Sequence, residues 1–98
     1  MHVITRRRLQ EFGEQYPDAE PPLRTWLAMM RQKRYGGSHD VRQDFASASF
    51  LDRWRTVFNI GGNKYRLITD MRYDLGRVYI RAMLTHQEYT RRTREGIL

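Results

Sequence analysis

From Trp54 onward apolar and polar residues alternate, and the alternation is interrupted at Gly61-Gly62 and at Tyr73-Asp74-Leu75-Gly76. Period-two alternation bounded by turn residues marks half-buried strands, so three strands are predicted here. Adjacent glycines suit the positive φ angles of a two-residue hairpin loop. With Gly61-Gly62 as that loop, Phe58 faces Tyr65, Thr56 faces Leu67 and Trp54 faces Thr69, which leaves Arg55, Val57, Asn59, Lys64, Arg66 and Ile68 on the other side. With the second turn at 73–76, Met71 pairs with Val78, Thr69 with Ile80, Leu67 with Ala82 and Tyr65 with Leu84. On the reverse, Arg72 then meets Arg77, Asp70 meets Tyr79, Ile68 meets Arg81 and Arg66 meets Met83. Both hairpins sort the strand residues the same way, into an apolar face and an Arg/Lys/Tyr face. A slip of one residue would exchange the faces throughout a strand, so this agreement is informative.

The first half of the chain carries a helical period. His2 to Ile4 is short and apolar enough for a strand. Thr5 is a predicted N-cap for a helix over 6–16, with Leu9 and Phe12 on one side, and Pro17 ends it. Asp18 or Glu20 is the predicted cap of a second helix, with Pro21 or Pro22 in its first turn, running to about Tyr35. Leu23, Trp26, Leu27 and Met30 recur at amphipathic spacing and read as core. Gly36-Gly37-Ser38 stops that helix. Residues 38–52 are the least legible, although Val41 and Phe45 fit a short helix. At the other end, Thr85 and Glu88 have the spacing of a capping box for a short helix over 85–93, which brings His86 and Tyr89 to one side of it. The stretch from Arg91 to Leu98 is expected to fray.

Charge changes this picture. The net charge is +7 over 98 residues, and residues 53–98 carry ten Arg/Lys against four Asp/Glu. The excess therefore coincides with the strands. Sixteen of the eighteen basic residues are arginine, whose planar fork binds phosphate bidentately. Such a surface suits nucleic acid; an acidic protein partner or an Arg-rich codon bias would produce the same composition. The chain has no cysteine, which excludes disulfides and Cys-based metal sites. No apolar run has the length of a membrane span, and the N-terminus lacks the apolar segment of a secretory signal, so a cytoplasmic protein is expected. The length fits one domain spanning 1–98.

The predicted basic face offers Arg55, Lys64, Arg66, Arg72, Arg77 and Arg81, with Asp70 as its only acid, and Tyr79 among them. Aromatic side chains interleaved with cations suit single-stranded RNA. His86, at the rim, is the one plausible acid–base residue near this face; a surface histidine with no function fits the spacing equally well. His2 and His39 have no supporting pattern. No metal-ligand spacing, P-loop or dinucleotide fingerprint is present, so no metal and no cofactor is expected.

Val57-Phe-Asn-Ile-Gly-Gly-Asn-Lys-Tyr-Arg-Leu67, Val78-Tyr-Ile-Arg81 and Thr85-His-Gln-Glu-Tyr89, with His2-Val-Ile-Thr5 and Tyr16-Pro17, resemble the HigB family of bacterial toxins, over residues 1–17 and 47–90. The resemblance implies a RelE-like α+β fold: a small antiparallel sheet, built from the short N-terminal strand and three C-terminal strands, with two helices on one face and a short C-terminal helix. It implies a metal-independent, ribosome-dependent endoribonuclease that cuts mRNA in the 30S decoding site. By position it makes His86 the catalytic histidine and Arg66 a central basic residue, with Arg81, Lys64 and Tyr89 assisting. Arg55, Arg72, Arg77 and Tyr79 would bind RNA. The implied partner is a HigA-type helix-turn-helix antitoxin, through which alone operator DNA would be met. The alternative from the residues is a non-catalytic basic module that binds RNA or the ribosome, in which His86 is incidental.

Overall fold

A computed structural model describes residues 1–96. In chain order it contains β1 (His2–Ile4), α1 (Arg6–Gln15), a 3-10 turn (Pro17–Ala19), α2 (Glu20–Gln32), α3 (Ser38–Asp44), β2 (Ser49–Phe50), β3 (Arg55–Ile60), β4 (Tyr65–Arg72), β5 (Arg77–Thr85) and α4 (His86–Glu95). The sheet has five strands in the order β1-β5-β4-β3-β2. This extends the expected four-stranded antiparallel sheet in two ways. β1 pairs parallel to β5, and the two-residue β2 adds an edge beside β3. The fold class, α+β with α1 and α2 on one face of the sheet and a short C-terminal helix, is as predicted.

The apolar side chains of the sheet and helices form one core. Phe58, Leu67, Met71, Val78 and Ile80 meet Leu23, Trp26 and Met30 of α2 and Leu9 of α1. Trp26 and Phe45 both pack edge-on against Phe58, at 5.4 and 5.0 Å between ring centroids. The helix caps differ from expectation. Thr5 adopts a left-handed conformation (φ 67°) where the chain leaves the sheet edge, and its side chain caps nothing. Neither Asp18 nor Glu20 caps α2: Asp18 reaches across to Tyr65 and Lys64, and Glu20 pairs with Arg24 one turn on. α2 ends at Gln32, earlier than predicted, and Tyr35 turns inward to donate a hydrogen bond to Asp44 at 2.8 Å. The predicted fraying from Arg91 is not seen as far as Glu95, which is helical; Ile97 and Leu98 lie outside the described residues.

Two register differences matter for the outer face of the sheet. The first hairpin pairs Ile60 with Tyr65, Phe58 with Leu67 and Arg55 with Asp70. Its loop is Gly61–Lys64, two residues longer than predicted, with both glycines at positive φ. A shift of two keeps the residues of β3 and β4 on their predicted faces but changes their partners. Trp54, predicted on the apolar face, lies just before β3 and stacks with Arg72 on the outer side instead. The second hairpin follows the prediction from Arg72↔Arg77 to Thr69↔Ile80, then slips by one residue at a bulge between Ile68 and Thr69. Beyond it Ile68 meets Ala82, Leu67 meets Met83 and Arg66 meets Leu84. Met83 therefore joins the core, whereas Leu84 was predicted there. Leu84 instead forms a second apolar cluster with Val57 and Ile68 on the outer face. That cluster is the seat of α4, through Tyr89. None of the described helices is long and apolar enough to cross a membrane.

Candidate RNA-cleaving site

Arg66 is the centre of the outer face at the α4 end. Its relative exposure is only 8%, yet no carboxylate pairs with it among the described residues. Its guanidinium donates to neutral acceptors instead: the Asn63 and Tyr65 carbonyls at 3.3 and 3.1 Å, the Asn63 Oδ1 at 2.7 Å and the His86 Nδ1 at 2.9 Å. The Gly61-Gly62 turn makes this possible, because two successive left-handed residues fold Asn63 back over the strand that follows. A buried cation is tolerated only when its donors are satisfied. Here both terminal nitrogens are satisfied without neutralisation, so the positive charge remains available to an anion.

His86 is held from both sides. Thr85 accepts from the Glu88 N–H and Glu88 accepts from the Thr85 N–H, a complete capping box as predicted. The His86 N–H donates to the Lys64 carbonyl at 2.9 Å, which ties the start of α4 to the hairpin loop. Guanidinium has donors only, so the Arg66 contact makes Nδ1 an acceptor and places the ring hydrogen on Nε2. The histidine is otherwise exposed to solvent. Tyr89 lies one turn along α4, its ring 5.8 Å from the Arg66 Cζ.

The other end of the outer face is built differently. Asp70 sits between Arg55 and Arg81, accepting from both at 2.6 Å. Arg72 pairs with Asp74 at 2.8 Å and stacks over Trp54 at 4.7 Å, while Arg81 lies over Tyr79 at 5.6 Å. All of these but Asp74, together with Asp52, surround a depression of about 320 Å³. Burial works to raise the Asp70 carboxyl, but the hydrogen bonds from Arg55 and Arg81 outweigh it and hold it below the usual carboxylate range. Arg77 is exposed at the start of β5, across from Arg72. Arg66 and Asp70 are four residues apart on β4, about 13 Å along the strand.

The structure thus brings together His86, Arg66 and Tyr89, and groups Arg55, Arg72, Arg81 and Tyr79 elsewhere. Of Lys64, Arg66 and Arg81, expected on one surface, Arg66 and Arg81 do share the outer face, at opposite ends of it, but Lys64 does not join them. Lys64 lies in the loop and its ammonium pairs with Asp18 at 3.0 Å, toward the helices. Asp18 is held low by the Tyr65 hydroxyl first and then by Lys64, and in return the Tyr65 hydroxyl is pushed up to about 12. Asn63 was missed by sequence reasoning, because a residue taken for the first position of a strand gave no sign that its side chain turns back. Among the described residues no group of three His, Asp or Glu side chains converges. The larger depression of about 620 Å³ lies between α1 and α2, is lined by no histidine, and is remote from this chemistry.

Residues 19–92 match the family model described as HigB_toxin, the RelE-like toxic component of a toxin–antitoxin system. The mRNA interferase toxin HigB of Escherichia coli K12 is 29% identical over 92 residues, covering 91% of this chain and 88% of that protein. The mRNA interferase HigB of Shigella flexneri is similar to the same degree, 29% over 92 residues. A more distant one from Escherichia coli O6:H1 is 23% identical over 97 residues, covering 96% of this chain and 93% of that protein.

Proposed function

This chain belongs to the HigB family, RelE-like toxic components of toxin–antitoxin systems, and from that membership we propose that it is an endoribonuclease that cuts mRNA with Arg66 and His86 at the reacting phosphate. Its relatives carry the name mRNA interferase. The single observation that carries the reading is the buried, carboxylate-free Arg66 guanidinium joined to the His86 ring.

In the proposed reaction the ribose 2′-hydroxyl attacks the adjacent phosphorus in line. The P–O5′ bond breaks, leaving a 2′,3′-cyclic phosphate and a 5′-hydroxyl. Negative charge grows on the non-bridging oxygens during attack, and a fixed donor array stabilises it more than the ground state. Arg66 is such an array. When its N–H groups turn to the phosphate, the His86 Nδ1 lone pair is released to take up a proton from water, Nε2–H then delivers one to the leaving 5′-oxygen, and the proton of the attacking 2′-hydroxyl passes to water. Tyr89 steadies the guanidinium through its ring. Lys64 contributes through its backbone carbonyl, which sets the position of His86. Arg55, Arg72 and Arg81, already paired with aspartates, and their neighbours Arg77 and Tyr79 lie apart from the reacting phosphate and add only to the positive potential that draws RNA to this face. A metal is unnecessary in this scheme because the guanidinium supplies the charge.

One acid–base residue is fewer than the pair a self-sufficient ribonuclease uses. Orientation of mRNA in the ribosomal decoding site makes up for this by fixing the in-line geometry. The antitoxin of this family would here be a HigA-type helix-turn-helix protein, meeting the chain in the cytoplasm and linking it to operator DNA. The test is expression of the chain alone, with mapping of new mRNA 5′ ends. Wild type should arrest growth and cut at in-frame positions, and His86→Ala should lower cleavage by roughly 10²–10⁴-fold. Undiminished cleavage by His86→Ala would overturn its role. Absence of cuts with retained RNA binding would favour the non-catalytic module.

A further inference from the structure

α4 has two different sides. One carries Tyr89, which rests on the cluster of Val57, Ile68 and Leu84. The other presents His86, Gln87, Thr90, Arg91 and Arg94, which line a groove of about 360 Å³. These positions recur at the one-, four-, five- and eight-residue offsets that keep side chains on one stripe of a helix. From His86 to Arg94 the stripe runs about 12 Å, at 1.5 Å per residue. That is long enough for more than one sugar–phosphate repeat. Neither Arg91 nor Arg94 has a carboxylate partner among the described residues. Glu88 is already engaged in the capping box. Arginines in a last helical turn offset the helix dipole wherever they stand around the axis. The dipole therefore gives no reason for Arg91 and Arg94 to share the stripe of His86, while Arg92 falls outside the groove.

We propose that this groove is a subsite for the RNA backbone flanking the cleaved bond, with Arg91 and Arg94 as its phosphate ligands and Gln87 bonding a ribose or base edge. The strand then leaves Arg66 and His86 along α4, where Glu88 feels the charge of Arg91 but no carboxylate is bonded to Arg91 or Arg94 among the described residues. It does not cross the sheet to Arg55 and Arg81, where Asp70 already holds both guanidiniums. The inference builds on the ribonuclease reading but is tested apart from it, by equilibrium binding of a 2′-O-methylated single-stranded RNA oligonucleotide that cannot undergo 2′-hydroxyl attack.

Arg94→Ala and Arg92→Ala each remove one charge from the same helix, and alanine preserves its helicity. Fluorescence anisotropy across a salt series should show Arg94→Ala binding more weakly, with a slope of log K against log salt shallower by about 0.7, the value for one single-strand phosphate contact. Arg91→Ala should behave alike, Arg91→Lys should keep most of the slope, and Arg92→Ala should match wild type. Equal effects of Arg92→Ala and Arg94→Ala would reduce the groove to net charge and overturn the proposal. So would unchanged oligonucleotide binding with loss only of binding to vacant ribosomes or to the antitoxin, since the ligand would then be ribosomal RNA or an acidic protein segment. If wild type cuts no mRNA while Arg94→Ala still flattens the slope, the subsite stands and the nuclease reading falls.

Discussion

The two ends of the outer sheet face carry the same kind of residue with opposite outcomes. At one end Arg55, Arg72 and Arg81 are each held by an aspartate, Asp70 or Asp74. At the other, Arg66 is more deeply buried and bonded only to Asn63, a neighbouring carbonyl and His86. An anion arriving at the first end must compete with a carboxylate already in place, whereas at the second it meets unspent charge. The number of arginines on a surface is therefore a poor guide to where phosphate binds. What their donors already touch decides it.

The largest expected contrast tests this difference directly. Arg66→Lys keeps the charge but loses the planar fork that reaches Asn63, Tyr65 and His86 together. It should lower mRNA cleavage by about 10²-fold, the usual cost of losing an oriented donor at a developing oxyanion. Arg55→Lys, changed at the other end, should cost far less. Equal losses in a cell-based cleavage assay would erase the distinction between the two ends.

Asp70→Asn should convert the neutral end into a second basic one. Freed of their carboxylate, Arg55 and Arg81 should tighten RNA binding and steepen its salt dependence. The same change should destabilise the fold by about 1–2 kcal/mol, less than a fully buried pair because Arg81 is half exposed. The pH dependence has a definite sign. Asp70 is depressed in the folded chain, so its stabilisation is present above its unfolded value of about 3.9 and fades as pH falls through the lower folded value. Urea unfolding at a series of pH values should show the gap between wild type and Asp70→Asn closing in acid. A gap that persists unchanged at low pH would mean that the ion pairs are not its cause.

The smallest effect sharpens the role of α4. Thr85→Ala removes a cap worth about 1 kcal/mol. It should loosen the first turn of α4, which carries His86, while the Asp70 end keeps its protection. Amide hydrogen exchange would read this, and uniform loss of protection across the sheet would show that α4 is no separate unit.

Much of the architecture was legible in the chain. The capping box at Thr85 and Glu88 formed as read, because it needs only residues three apart. Leu23, Trp26 and Met30 went into the core as their spacing required. The candidate site was legible in its members His86, Arg66 and Tyr89, but not in Asn63 or in the pairing of Lys64 with Asp18, which come from distant segments. Residues 82–84 misled for a different reason. Ala-Met-Leu is apolar throughout, so it has no alternation to reveal a one-residue bulge, and either Met83 or Leu84 satisfies the core.

By itself, then, the sequence determined the main strands and helices, though not β2 or the exact ends of α2 and β4, and, up to the bulge, which face the paired residues of those strands take. Period-two patterning is local, and a hairpin shift of two residues leaves it intact. Only the tertiary structure decided which arginines are neutralised. The longer Gly61–Lys64 loop moved Asp70 opposite Arg55, where the shorter loop would have placed Ile68. The same loop turned Asn63 onto Arg66. Cross-strand partners depend on loop length and bulges, which backbone hydrogen bonding and the seating of α4 select and which no alternation of side chains encodes.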